Sequence, residues 1–287
     1  MTELALTGLT PNSPFNFMAA LGLMRLLAED NQRCELRLSW RQSAVLHGVG
    51  KEELLELLYG HMEKRYQAIE FNWADSARSC SPEIYQEALR NSDDRGRSFL
   101  AAWGTDGRLT KNGHISTSRL DMTSGQQKLI RELRKLAWEL AETPELLQKS
   151  FEKGLFEQHY EEGQSAFGLD PATLRQHATE ARAPTKMKPS ARKAALWLVA
   201  ESFPCHPVIV SNQQAVTLGT YRDSKGAAYY YYYPIWRNFS LSFSELNLLR
   251  QQDVQSLGQR PDITEVWSSE FIQTGKYGAL RPACRIK

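Results

Sequence analysis

The sequence has only four cysteines, Cys34, Cys80, Cys205 and Cys284, and none of them forms a C-x-x-C pair. That spacing argues against a cysteine-bound metal and against a disulfide framework, and it fits reduced thiols in a cytoplasm. No basic, apolar leader follows Met1-Thr2-Glu3, so secretion is not expected. No apolar run is long enough to cross a bilayer: the longest, near Phe15–Leu27, is broken by Asn16 and Arg25. A dominant charge is missing too. The net charge of +2 is too mild to mark a nucleic-acid binder, so an electrostatic argument must rest on where charges cluster. A hydrophobic share of 41% is enough to fill a sizeable core, and 287 residues make one large domain or two modest ones.

Catalytic motifs are equally scarce. Gly275-Lys276 resembles the end of a phosphate-binding loop, but Glu270 stands where its first glycine belongs and Tyr277 replaces the Ser/Thr. Gly48-x-Gly50 is followed by Glu53, so the dinucleotide fingerprint fails at its third glycine, and no nucleophile elbow surrounds Ser165. The histidines, His47, His61, His114, His159, His177 and His206, show no helical ligand spacing. Cys205 and His206 are adjacent and would face opposite sides of a strand. Asp93-Asp94 reads as part of a solvated loop, and Asp121 as a carboxylate complementing the dipole of a following helix. A metal-dependent nuclease around His114 and Asp121 stays open as an alternative. No cofactor is expected.

The sequence does offer clear element signals. Glu3–Leu9 alternates as a short strand, and Thr10-Pro11-Asn12-Ser13-Pro14 is a turn and helix start, with Ser13 as cap and Pro14 in the first helical position. The helix Pro14–Ala28 is apolar on every face, which predicts burial all round. Gly22 in its middle costs about 1 kcal/mol in propensity, and the expected return is close approach of another backbone. A half-buried strand is expected at Cys34–Trp40, pairing with Ala44–Val49. Helices are expected over Lys51–Gln67, Ser81–Arg90, Thr123–Glu142, Pro144–Lys153, Pro171–Ala181 and Ser190–Phe203. Asn91–Arg97 and Gly104–His114 read as polar loops, and Ile115–Met122 as a strand. After Pro204 the character turns to β, with strands at Val208–Val210, Ala215–Tyr221, Ala227–Tyr233, Ile263–Trp267 and Phe271–Tyr277 and a helix at Ser242–Gln251. The fold class is therefore α+β: a helix-rich N-terminal and central part around a buried helix, with a β-rich C-terminal portion. Residues 1–204 and 205–287 are two domains or one.

What remains is binding chemistry. The segment Arg182–Lys193 carries Arg182, Lys186, Lys188, Arg192 and Lys193 with two prolines and no acid, as a phosphate-backbone contact requires; an ordinary solvated loop reads the same way. Arg95, Arg97, Arg108 and Lys111, with Trp103 between them, match the cations and rings that stack bases and hold phosphates, though an ordinary solvated loop is the favoured reading of this stretch. In the run Tyr229–Tyr233, alternation sends Tyr229, Tyr231 and Tyr233 to one face, as a half-buried strand explains. Tyr230 and Tyr232 on the other face, with Trp236 beyond them, form a candidate partner-binding or stacking surface.

Several segments together resemble CRISPR-associated proteins of type I-G (I-U) systems. Leu6–Pro14 running into Phe17-Met18-Ala19-Ala20-Leu21-Gly22-Leu23-Met24-Arg25-Leu26-Leu27 is similar to their opening turn and helix. Asp121–Gln127, Phe167-Gly168-Leu169-Asp170-Pro171 through Arg175 and Ala178, Ala195–Phe203 with Pro207, and Tyr233-Pro234-Ile235-Trp236 with Leu241–Leu249 are similar to later elements, in order. The chain departs from that pattern at Leu169, where the group carries an aromatic, and at His177, where it carries tyrosine. The resemblance implies a non-catalytic, cytoplasmic subunit of an antiviral type I effector complex, acting like its large subunit. Its expected partners are guide RNA, target DNA and other effector subunits, with cutting left to a separate helicase–nuclease. An adaptor that contacts proteins alone is the second reading.

Overall fold

Ser13 and Pro14 start the first helix as the sequence predicts. The Ser13 hydroxyl accepts the Asn16 N–H at 3.4 Å, and Pro14 opens α1 (Pro14–Ala28). The computed structural model describes residues 2–29, 36–65, 68–123, 126–174, 188–274 and 277–287. Every α1 residue from Pro14 to Leu27 is buried. Each large apolar side chain buried this way contributes about 1.5–3 kcal/mol. Gly22 has the predicted neighbour: a β-carbon there would lie 1.8 Å from the Leu198 carbonyl oxygen, on the helix that packs across α1.

Before and after α1 run β1 (Glu3–Leu6), β2 (Arg37–Trp40) and β3 (Ala44–His47), an antiparallel sheet ordered β1-β3-β2. The expected pairing of β2 with β3 is present, in the register Trp40↔Ala44 to Arg37↔His47. Then come α2 (Lys51–Arg65), α3 (Pro82–Asn91), α4 (Asp94–Trp103), the hairpin of β4 (Gly104–Leu109) and β5 (Ile115–Thr117), α5 (Leu129–Leu140) and α6 (Pro144–Phe156). The leucine stripe of α5, Leu129, Leu133, Leu136 and Leu140, is buried as its spacing predicts. Strands β6 (Glu161–Glu162) and β7 (Ser190–Ala191) pair briefly before α7 (Lys193–Glu201), the helix that meets Gly22.

The C-terminal part is mostly β. A hairpin of β8 (Val208–Ser211) and β9 (Gln214–Thr217) leads into β10 (Thr220–Arg222) and β11 (Tyr229–Ile235). After α8 (Phe243–Arg250) and α9 (Val254–Gln259) come β12 (Glu265–Thr274), β13 (Tyr277–Leu280) and β14 (Cys284–Arg285). The main sheet is ordered β10-β11-β12-β13, with β14 also on β12. The chain is thus α+β, helical in its N-terminal and central parts and richer in strand toward its end. Leu38 of β2 exchanges backbone hydrogen bonds with Leu241 at 2.7 and 2.8 Å, which ties the first sheet to the C-terminal part.

Several elements differ from expectation. The segment read as a loop at Asn91–Arg97 contains the start of α4, because Asp93 caps it by accepting the Gly96 N–H at 2.7 Å. The polar stretch from Gly104 is a hairpin whose turn alone is loop. The helix expected from Thr123 begins at Leu129, and the one expected from Ser190 begins at Lys193 because β7 takes the first residues. The expected helix over Pro171–Ala181 is a short turn at Pro171–Thr173, and the rest lies outside the described residues. The two expected closing strands are one, β12, because Ser269 donates to the Arg281 carbonyl at 2.6 Å and Ser268 meets the Tyr221 hydroxyl at 3.1 Å.

Candidate nucleic-acid interface

The basic segment before α7 divides. Arg182 and Lys186 lie outside the described residues. Lys188 is exposed and pairs with Glu162 at 3.4 Å, and Lys193 pairs with Glu139 at 3.0 Å. Arg192 is not an exposed phosphate contact. It is 2% exposed, donates to the Gly8 carbonyl at 2.7 Å and to the Asn16 side-chain oxygen, and lies over the Phe15 ring. It joins the β1 turn, α1 and α7. Nothing in the spacing of its neighbouring charges shows that acceptors wait beneath it.

The second expected group divides as well. Arg95 turns inward from the first turn of α4 to Glu29 at 2.7 Å and approaches Glu70 and Glu201 at 3.5 and 3.6 Å. Arg25 and Arg65 enter the same cluster, each 2.8 Å or less from Glu201. Burial would raise the Glu201 carboxyl, but Arg65 and Arg25 outweigh it and hold it at about 2. Trp103, expected between the cations, is core: it is buried and its indole donates to the Glu70 carbonyl at 3.2 Å. Arg97 remains exposed beside Asp94 at 3.2 Å. Arg108 and Lys111 are exposed on the β4–β5 hairpin and form no ion pair among the described residues.

From Tyr231 to Tyr233 the tyrosine run is buried on both faces of β11. Tyr233 stacks on Phe17 with centroids 4.8 Å apart. Tyr232 is 4% exposed and donates to the Gln252 carbonyl at 2.8 Å. Trp236 is fully buried and donates to the Leu38 carbonyl at 3.0 Å. Neither is a partner surface, because α8, α9 and the first sheet already cover them. Tyr230 alone of the three stays half-buried, and it stacks on Tyr221 at 5.2 Å with planes 16° apart.

Cations and rings do come together, at the outer end of this sheet and through residues that spacing did not single out. Arg222 and Tyr229 are cross-strand partners on β10 and β11. The Arg222 guanidinium lies 5.2 Å from the Tyr229 ring centre and the Arg119 guanidinium 3.2 Å from it. Arg119 is placed by its backbone N–H, which donates to the Thr217 hydroxyl at 2.9 Å. Both arginines are exposed and neither forms an ion pair among the described residues. The nearby acids are engaged elsewhere: Asp223 accepts the Ala227 N–H at 2.7 Å inside the hairpin turn, and Glu270 pairs with Arg281 at 3.1 Å. The β10–β11 register brings Arg222 to Tyr229, and the Thr217 contact brings Arg119, which is far from the tyrosines in sequence.

A groove of about 740 Å³ opens beside the N-terminus of α1. Its floor holds Asn16, Asp170 and Arg192, all buried. Asp170 accepts the Tyr160 hydroxyl at 2.9 Å and the Ala172 N–H at 3.0 Å, and burial raises its carboxyl. At the rim, Arg237 donates to Glu265 at 2.7 Å, and the other Glu265 oxygen accepts the Trp267 indole N–H at 2.7 Å.

Asp121 does not serve a helix dipole. It is buried and closes its own turn, accepting the Thr123 N–H at 3.2 Å and hydroxyl at 2.6 Å. Asp93 caps α4 rather than lying in a solvated loop. His206 is buried beside Arg250 at 3.3 Å, and burial pushes its imidazole well below the usual range. Among the described residues no helix is long and apolar enough to cross a membrane. Comparison with protein-family models and with curated proteins finds no match.

Proposed function

We propose that the chain is a non-catalytic nucleic-acid-binding subunit of a type I CRISPR effector complex, working in the cytoplasm on guide RNA or target DNA. The observation that carries this reading is the pair of unpaired arginines, Arg119 and Arg222, against Tyr229, with the stacked Tyr221 and Tyr230 beside them. Cations that have no carboxylate are free to take phosphate oxygens, and tyrosine rings at the same place suit unstacked bases. Arg108 and Lys111 add exposed charge on the β4–β5 hairpin, and Arg97 and Lys188 are the other exposed cations named from sequence. The effector assignment itself rests on the ordered resemblance of the segments from Leu6 to Leu249.

Contact with other effector subunits is a second role, favoured by exposed Leu109, Ile209 and Val210 on the neighbouring β4 and β8 strands. The test of the main reading is co-purification with small RNA from cells that carry a repeat array. The unaltered chain is expected to bring RNA, and the Arg119→Glu/Arg222→Glu variant to bring much less. Equal RNA on both, or none on either, overturns the reading.

A further inference from the structure

The groove beside α1 has no part in that reading, and its chemistry points to a ligand of its own. Trp267 on β12 and Arg285 on β14 are cross-strand partners, so both side chains leave the sheet on the same face, at the groove rim. The Trp267 indole N–H is already engaged by Glu265, which Arg237 holds in turn. That relay holds the indole in place, and the half-buried side chain packs on the core while lining the groove. Arg285 is exposed and forms no ion pair among the described residues. Glu265 lies within the field of Arg285 without forming an ion pair with it, and an oriented ring beside an exposed guanidinium is complementary to a flat heterocycle that carries an anion. On the floor Arg192 and Asn16 are engaged with Gly8, Thr10 and each other, and Asp170 lies beside them, so the anion subsite rests on Arg285 at the rim.

We propose that this groove binds a nucleotide, its base against Trp267 and its phosphate on Arg285. A volume of about 740 Å³ holds a ligand of that size, since small-molecule sites span roughly 300–1,000 Å³. The site is distinct from the Arg119–Arg222 surface. Tyr229 pairs with Phe271, further along β12, whereas Trp267 pairs with Tyr233 at the other end of the tyrosine run. The inference therefore does not depend on the nucleic-acid reading.

Calorimetric titration of the full chain with adenosine, guanosine, cytidine and uridine 5′-monophosphates tests it, with the free nucleosides and inorganic phosphate as half-ligands. At least one monophosphate is expected to bind saturably, about tenfold or more tighter than its nucleoside or phosphate alone. Arg285→Glu, an exposed change near the chain end, is expected to weaken that binding about tenfold or more. Trp267→Leu is expected to weaken it as well. No saturable binding of any monophosphate, or binding that survives Arg285→Glu, overturns the proposal. Nucleosides binding as tightly as their monophosphates overturn it too.

Discussion

Gly22 of α1 lies against the carbonyl of Leu198 on α7, so close that a β-carbon at Gly22 would stand 1.8 Å from that oxygen. The contact is backbone to backbone, and no rotamer change relieves it. Gly22→Ala would gain about 1 kcal/mol in helix propensity but must push the two helices apart in a close-packed core. The expected outcome is a net loss of about 1–3 kcal/mol, read as a lower urea midpoint with an unchanged slope.

The cluster around Glu201 gives the fold an acid dependence. The Glu201 carboxyl is held at about 2 against an ordinary 4.5, so the folded state binds its proton less readily than the unfolded chain. Its contribution is fully present above pH 4.5 and is lost as the pH falls toward 2. Glu201→Gln should cost about 3–5 kcal/mol at neutral pH, because Arg25 and Arg65 lose a buried carboxylate. Urea unfolding of both proteins across the acid range should show a shallower pH slope for the variant.

His206 acts in the same direction at a higher pH. Burial and the nearby Arg250 disfavour the imidazolium, so the unfolded chain takes up the proton first. Stability should therefore fall as the pH drops below the ordinary histidine value of 6.5. The difference between the unaltered chain and His206→Gln isolates this group from the other histidines, and the variant should lose that part of the slope.

Tyr232 and Trp236 hold the core together. Trp236→Ala should cost about 3–5 kcal/mol through the cavity it leaves. Tyr232→Phe should cost about 1 kcal/mol through the lost bond to Gln252. Thermal unfolding measures both.

Local signals were legible wherever the chain's own neighbours decide the structure. Ser13-Pro14 and Ser81-Pro82 start helices, the Leu129–Leu140 stripe is buried, and Gly22 marks a close approach. Three of the misses share one cause. Arg192, Trp236 and Tyr232 carry groups that read as surface chemistry, and each finds a carbonyl from a distant segment: Gly8, Leu38 and Gln252. The arginines at Tyr229 were illegible for the same reason, since Arg119 reaches that ring only through the contact of Thr217 with its backbone. Trp267 and Arg285 become neighbours only through the pairing of β12 with β14.

On the proposed function the Arg119–Arg222 surface holds a nucleic-acid backbone. Its most direct test is the affinity of the chain for a labelled single-stranded RNA, measured by anisotropy over a series of salt concentrations. Each phosphate contact on a single strand contributes about 0.7 to the slope of log affinity against log salt. Arg119→Glu/Arg222→Glu should weaken binding about tenfold or more at low salt and flatten the slope by about 1.4. An unchanged affinity and slope in that variant would contradict the account.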